Sequence, residues 1–174
     1  MTYSTGNLIA DSCRLSLSYA EKLLGGIPDE RFARFAAPGG QVIASNHPAF
    51  MLGHLAIYPS RVLRSIGGEK GEFDVPTSFE TVFSRDATCE DDPDGSIYPG
   101  REAIVDHFFR GYRLVIDRLR ETDEATLQKP NPNEAMAGRF PTIGSMNAFY
   151  CGGHLMVHLG QLSAWRRMEG LGSA

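Results

Sequence analysis

Residues 147–167 read NAFYCGGHLMVHLGQLSAWRR, and the interpretation of the whole chain depends on this stretch. It is long enough for a helix of several turns, and it carries His154 and His158 four residues apart. Side chains at this spacing lie one turn apart on the same face of an α-helix. Two imidazoles can therefore converge on one metal ion, but the same spacing also suits core histidines that are hydrogen-bonded to their neighbours. A third ligand elsewhere in the chain would favour the metal.

Candidates for that third ligand lie in the apolar segment at residues 46–65. We predict a single helix there, with Asn46 as its N-cap and a bend caused by Pro59. A bent helix is favoured over two separate elements because the apolar face continues beyond the proline. His47 and His54 are nearly eclipsed two turns apart, so both can face the interior.

Two further segments, residues 5–24 and 101–122, show the 3.6-residue apolar period of amphipathic helices. A Gly-Gly pair ends the first and a Pro-Gly pair opens the second. In the second, His107 falls between the apolar and polar edges, which favours a border or surface histidine over a ligand. The inward positions predicted for the first helix are Leu8, Ile9, Ser12, Leu15, Tyr19, Leu23 and Leu24.

Long connections separate these helices. Residues 67–100 are rich in Gly, Asp, Glu, Pro and Ser, and we predict a loop there with one short helix at 77–83. The acidic run at 90–95 lacks the ligand pattern of a calcium loop and is interpreted as a solvated turn, with Cys89 as an exposed bystander. Loops of this length are uncommon in compact domains, and one use for them is to cover a pocket at the end of the helices.

Composition excludes several classes of function. The net charge is −4 and the basic residues are scattered, so a nucleic-acid partner is not expected. No apolar run approaches the roughly 18 residues of a membrane span, and no membrane partner is expected. Three cysteines without CxxC spacing, and no secretory apolar region, indicate reduced thiols in a cytoplasmic protein. Cys151 is interpreted as a small packed residue beside the histidine seam.

The chain has 174 residues, the size of one domain with its own core. Four long helical segments, no alternating strand pattern and no internal repeat favour an all-α fold. We therefore predict a four-helix bundle with long inter-helix loops that forms a single domain over residues 1–174.

Residues 53–55 (GHL), followed about a hundred positions later by residues 154–162 (HLMVHLGQL), resemble the DinB/YfiT-like family of metal-dependent proteins. The likeness covers nearly the whole chain and includes residues 97–99 (IYP) before the third helix. Each short motif is weak by itself, but their combination, order and spacing in an all-helical chain are more specific. The resemblance implies a four-helix bundle of up-down-down-up connectivity.

The resemblance also implies a divalent metal, zinc or nickel, bound by His54, His154 and His158. Three imidazoles with an open position are typical of a catalytic site rather than a structural one. Gln161, one turn beyond His158, is placed to hydrogen-bond near the ligands. The role of His47 stays open between a fourth ligand, a group above the open position that hydrogen-bonds to the ligands or transfers protons, and a histidine at the helix start. No catalytic residue is assigned.

Relatives implied by the resemblance include transferases and isomerases that use a low-molecular-weight thiol such as bacillithiol, mycothiol or glutathione. The first hypothesis is therefore a metal-dependent transferase that joins such a thiol to a small electrophilic molecule. The alternatives are a metal-dependent hydrolase, for which no carboxylate stands beside the ligands, and a non-catalytic, stress-associated metal-binding or interaction module. Relatives often pair, so a homodimer is also expected.

Overall fold

The computed structural model describes residues 3–69 and 71–174, and within these ranges it contains helices and no strands. The predicted all-α class is therefore confirmed. The helices are α1 (Thr5–Leu24), α2 (Pro48–Ala56), α3 (Pro59–Ser65), α4 (Thr77–Phe83), α5 (Arg101–Glu121), α6 (Glu124–Leu127), α7 (Glu134–Ala137), α8 (Ile143–Ala148) and α9 (His154–Met168). A π-helical turn at Phe149–Gly153 joins α8 to α9, and 3₁₀ turns lie at Asp29–Arg31 and Pro38–Gly40.

Helices α1, α2, α5 and α9 surround the core. Helix α1 packs against α5 and α9, and α2 packs against the same two helices. The buried apolar residues form one cluster, whose largest members include Trp165, Tyr112, Phe83 and Phe108. The interpretation of residues 1–174 as one domain stays a prediction, and the single cluster agrees with it.

The bounds of α1 match the prediction, but its inward face was partly wrong. Leu8 and Leu15 are 61% and 69% exposed. The face that packs inward is rich in small residues, and at Gly6 a Cβ atom would collide with the carbonyl of Leu119 on α5. Small residues allow the two helix backbones to approach closely, and this approach sets the rotation of α1. The buried residues of α1 are Gly6, Ile9, Ala10, Cys13, Ser16, Leu17, Ala20, Leu23 and Leu24.

The predicted bent helix at 46–65 is two helices, α2 and α3, which the chain connects through Ile57 and Tyr58. Pro59 has no N–H to donate to the carbonyl of Leu55. That carbonyl accepts the N–H of Tyr58 and, over 3.2 Å, the hydroxyl of Tyr112 on α5. The break at the proline is therefore stabilised by a tertiary hydrogen bond that the local sequence does not reveal.

The last helical segment was also predicted as one element, whereas the structure divides it into α8, the π-helical turn and α9. A π turn inserts one residue into the helical register, so every side chain beyond it points in a new direction. Gly152 lies in this turn, and a Cβ atom there would come within 2.9 Å of the Ser12 hydroxyl of α1. The π turn therefore packs closely on α1 at the point, directly before His154, where the helical register changes.

The remaining expectations concern α5 and the loops. The bounds of α4 and the apolar stripe of α5 agree with the sequence, but the prediction of a border position for His107 was wrong. Its ring is buried and stacks on Phe73, with 4.4 Å between ring centroids. Asp92 in the acidic run is buried rather than solvated, because its carboxylate accepts three backbone N–H groups at residues 96–98.

Among the helices that the structure describes, none combines the length and apolar character that a membrane-spanning helix requires.

Candidate metal centre

Three histidines from two helices converge at one point. His54 comes from α2, and His154 and His158 come from the first turns of α9. One ring nitrogen of each histidine lies within 4.8 Å of those of the other two. The distances between ring centroids are 5.4 Å for His54 and His154, 5.0 Å for His54 and His158, and 4.8 Å for His154 and His158. The α2–α9 contact therefore assembles a cluster that neither helix carries alone.

Hydrogen bonds fix the tautomers of two of these rings. Nδ1 of His54 lies 3.0 Å from the carbonyl oxygen of Phe83, and Nδ1 of His158 lies 3.1 Å from Oε1 of Gln161. Both partners are oxygen acceptors, so each Nδ1 carries the hydrogen and donates it. The Nε2 atoms of His54 and His158 are then left with lone pairs, which is the usual arrangement of a ligating histidine and its outer partner.

Gln161 links the cluster to the start of α2. Its Oε1 accepts a second hydrogen bond from Nδ2 of Asn46, over 3.2 Å. Asn46 was predicted as the N-cap of α2, but His47 holds that position. Asn46 instead restrains the amide that orients His158.

His154 differs from the other two histidines because its Nδ1 is buried without a hydrogen-bond partner among the described residues. Its ring packs against Tyr58 and Phe149, with centroid distances of 4.5 Å and 5.3 Å. A buried polar nitrogen without a partner costs free energy in the metal-free protein. A metal ion bound to this nitrogen would supply the missing partner.

The electrostatic environment keeps the cluster neutral. Burial lowers the pKa of His54 to about 4 and, together with the charges that His158 and His54 would carry, lowers the pKa of His154 to about 3. Burial also lowers the pKa of His158. Metal ligation requires deprotonated imidazole nitrogen, so all three rings are in the competent state at neutral pH.

A cavity of about 660 Å³ opens beside the cluster. All three histidines line it, and the segments at 84–89 and 133–139 form part of its wall. The prediction that long loops cover a pocket agrees with this arrangement. Cys89, which was interpreted as exposed, is half-buried in that wall, and burial raises the pKa of its thiol to about 11.

Tyr58 lines the cavity beside the cluster. Its hydroxyl lies 3.3 Å from Nε2 of His54, and burial raises the pKa of that hydroxyl above its ordinary value. Tyr58 is therefore protonated at neutral pH and available as a donor. The sequence analysis did not single it out, although its position four residues after His54 would place the two on one helical face.

His47 lies outside the cluster. Its ring is fully buried, Nδ1 accepts the N–H of Phe50 over 3.2 Å, and Nε2 donates to the carbonyl oxygen of Glu90 over 2.8 Å. Both ring nitrogens are thus engaged with backbone groups. Of the roles left open for His47, the structure places it at the helix start, as a cap that also ties α2 to the acidic loop.

The family model described as DinB superfamily matches residues 14–162. The chain belongs to the DinB superfamily. The matched range includes the three clustered histidines and Gln161. No curated protein sequence matches the chain.

The residues of this DinB-superfamily chain fit a metal by their chemistry. Three neutral imidazoles converge, two are oriented by hydrogen bonds, and the third has a buried nitrogen without a partner. No fourth histidine, cysteine or carboxylate joins the cluster within residues 3–69 and 71–174. The cluster can therefore hold a metal ion with a position left open toward the cavity.

Proposed function

We propose that this chain is a metal-dependent transferase that joins a low-molecular-weight thiol to a small electrophilic molecule. The metal would be zinc or nickel, held by His54, His154 and His158, since imidazole ligands suit both ions. The observation that carries the proposal is the three-histidine cluster in the wall of a cavity of about 660 Å³. That volume is in the range of small-molecule sites, so both reactants can approach the open position.

A divalent metal at this position, when bound, would lower the pKa of a coordinated thiol and hold it as a thiolate. For an epoxide as the electrophile, a sulfur–carbon bond forms and a ring carbon–oxygen bond breaks. The thiol proton is transferred to the released oxygen, so no further reactant is required.

Tyr58 would assist at the electrophile. Its hydroxyl is protonated at neutral pH and lies at the edge of the cluster. From there it can donate a hydrogen bond to an oxygen on which negative charge develops, which stabilises a transition state more than a ground state. Gln161 and the carbonyl of Phe83 keep two of the histidine rings in place while this occurs.

The lining of the cavity argues against the hydrolase alternative. A hydrolase that activates a metal-bound water usually employs a carboxylate as general base. Among the described residues, no aspartate or glutamate lines the cavity. The non-catalytic alternative does not require a cavity beside the metal ligands, so the cavity favours an enzyme over a binding module.

Two further proposals concern architecture. We propose the up-down-down-up four-helix bundle of the family, supported by the contacts of α1 and α2 with both α5 and α9. We also propose a homodimer, supported by exposed apolar side chains on the adjacent helices α1 and α9, namely Leu8, Leu15, Met156 and Val157. Light scattering at several concentrations would test the dimer, and a monomeric mass throughout would refute it.

The first experiment is elemental analysis of protein purified without added metal or an affinity tag, beside His54→Ala and His158→Ala. We expect about one equivalent of zinc or nickel in the wild type and none in either variant. The metal-loaded wild type is then assayed for conjugation of glutathione, bacillithiol and mycothiol to epoxides, quinones and activated aryl halides. Metal binding without conjugation of any pair would leave the non-catalytic alternative ahead.

A further inference from the structure

The cavity beside the cluster is lined by charge of one sign only. Arg61, Arg85 and Arg139 line it, and no aspartate or glutamate of the described ranges does. The chain as a whole has a net charge of −4. The charged side chains of the cavity wall are therefore all positive, although the protein as a whole is negatively charged.

These three arginines also differ from the others in the chain, because the other arginines all have protein partners. Those that form ion pairs with carboxylates are Arg14, Arg31, Arg34, Arg101, Arg110, Arg113, Arg118 and Arg120. Those that donate to backbone carbonyls or hydroxyls are Arg64, Arg166 and Arg167. Within the described chain, the arginines without an ion pair or a side-chain hydrogen bond are the three in the cavity wall.

A contact places one of these guanidinium groups, that of Arg61, near the histidine cluster. Cζ of Arg61 lies 4.9 Å from the centroid of the Tyr58 ring, which itself contacts His54 and His154. Burial raises the pKa of Tyr58, and the positive charges of Arg61 and Arg85 act in the opposite direction. Arg61 also borders a second cavity, of about 360 Å³, so it lies where the two cavities adjoin.

We infer that the cavity takes a substrate with an anionic oxygen group, a carboxylate or a phosphate, that contacts Arg61, Arg85 and Arg139. The planar guanidinium fork matches both groups through paired hydrogen bonds. The anionic group is held in the arginine wall while the reacting atom of the same molecule faces the histidine cluster. That the bound molecule is a substrate rests on the proposed function, but the anion site itself requires neither metal nor thiol.

The test is a calorimetric titration of the metal-free protein at low ionic strength, because salt screens exposed charges. The probes are succinate and inorganic phosphate, with uncharged succinamide as the matched control for succinate. We expect the wild type to bind at least one of the two anions. If it binds succinate, it should bind succinamide at least about tenfold more weakly. Each of Arg61→Gln, Arg85→Gln and Arg139→Gln should weaken anion binding by about threefold to tenfold.

Arg113→Gln is the control variant, since Arg113 is an exposed arginine on α5 that pairs with Glu21. It should bind the anions as the wild type does. No anion binding by the wild type, or unchanged binding when all three cavity arginines are replaced in a folded protein, would overturn the inference. Binding of phosphate alone or succinate alone supports it and identifies the anion.

The two proposals fail separately. If anion binding depends on the cavity arginines but the metal-loaded protein conjugates no thiol, the transferase proposal fails and the anion site stands. If the protein binds no anion and conjugates charged and uncharged reactants equally well, the anion site fails and the transferase proposal stands.

Discussion

Oε1 of Gln161 accepts hydrogen bonds from Nδ1 of His158 and from Nδ2 of Asn46, over 3.1 Å and 3.2 Å. One amide oxygen thus fixes the orientation of a candidate metal ligand on α9 and ties it to the start of α2. Outer partners of this kind keep the ligating nitrogen directed at the metal and raise its basicity.

Gln161→Ala should weaken zinc binding by about tenfold to a hundredfold, because His158 loses the acceptor that fixes its tautomer. The measurement is a competitive titration against a chromophoric chelator at neutral pH. Gln128→Ala is the control, since the side chain of Gln128 donates to the exposed Glu124 on α6, away from the cluster. Equal zinc affinity of Gln161→Ala and the wild type would show that the hydrogen bond has no role in the site.

Gly53→Ala should lower the free energy of unfolding by about 1–3 kcal/mol, the usual cost of overpacking a core. A Cβ atom at Gly53 would collide with the ring of Phe83, and the carbonyl of Phe83 holds His54. The variant should therefore also weaken zinc binding. Chemical denaturation and chelator competition measure the two effects.

Gly160→Ala is the matched control for that variant, because a Cβ atom at Gly160 meets no described atom within 4 Å. The substitution should stabilise the protein by up to about 1 kcal/mol through helix propensity. If both variants changed stability by the same amount and in the same direction, the close packing of Gly53 on Phe83 would not be the cause.

Tyr112→Phe should cost about 1–2 kcal/mol of stability, since it removes the buried hydroxyl that donates to the Leu55 carbonyl at the break before Pro59. The hydroxyl is buried, so water does not replace it readily. The measurement is the denaturation midpoint, with the half-buried Tyr19→Phe as control. A loss no greater than that of the control would contradict the role given to this hydrogen bond.

Acid should destabilise the metal-free protein. Burial lowers the folded-state pKa of His54 to about 4 and of His154 to about 3, whereas the ordinary value is 6.5. Below pH 6.5 the unfolded chain therefore binds more protons than the folded chain, and stability falls as the pH falls. The stability that these two groups contribute is complete above about pH 6.5 and is lost progressively toward pH 4 and 3.

Between pH 7.5 and 5.5, the two histidines together should remove about 3 kcal/mol from the free energy of unfolding. The measurement is urea denaturation at several pH values in the presence of a chelator. The double variant His54→Asn, His154→Asn should show a flatter pH dependence. An equally steep dependence in that variant would assign the effect to other groups.

The sequence allowed the candidate site to be predicted in outline because two of its three histidines follow a local rule. His154 and His158 are four residues apart, and this spacing places them on one face of any α-helix. The resemblance at residues 53–55 then indicated His54 as their partner. The bounds of α1 and α5 were predicted correctly for the same reason, since a 3.6-residue period and Gly or Pro at the ends are local signals.

The roles of His47 and His107 could not be predicted in this way. Both are buried, one as a helix cap bonded to a distant loop and the other stacked on Phe73. Their partners come from segments without regular periodicity, whose path depends on packing. The cavity arginines could not be singled out from the sequence either, because they differ from the other arginines in having no ion pair or side-chain hydrogen bond among the described residues.

By itself, then, the sequence determined the helical class, the main helix bounds and the histidine spacing, since these depend on contacts between residues a few positions apart. Only the tertiary structure decided the rotation of α1, the break before Pro59, the π turn before His154 and the gathering of three arginines in the cavity wall. Each of these depends on atoms far apart in the chain, such as the Tyr112 hydroxyl at the Leu55 carbonyl. These features are determined by the close packing of distant segments, which no local sequence pattern encodes.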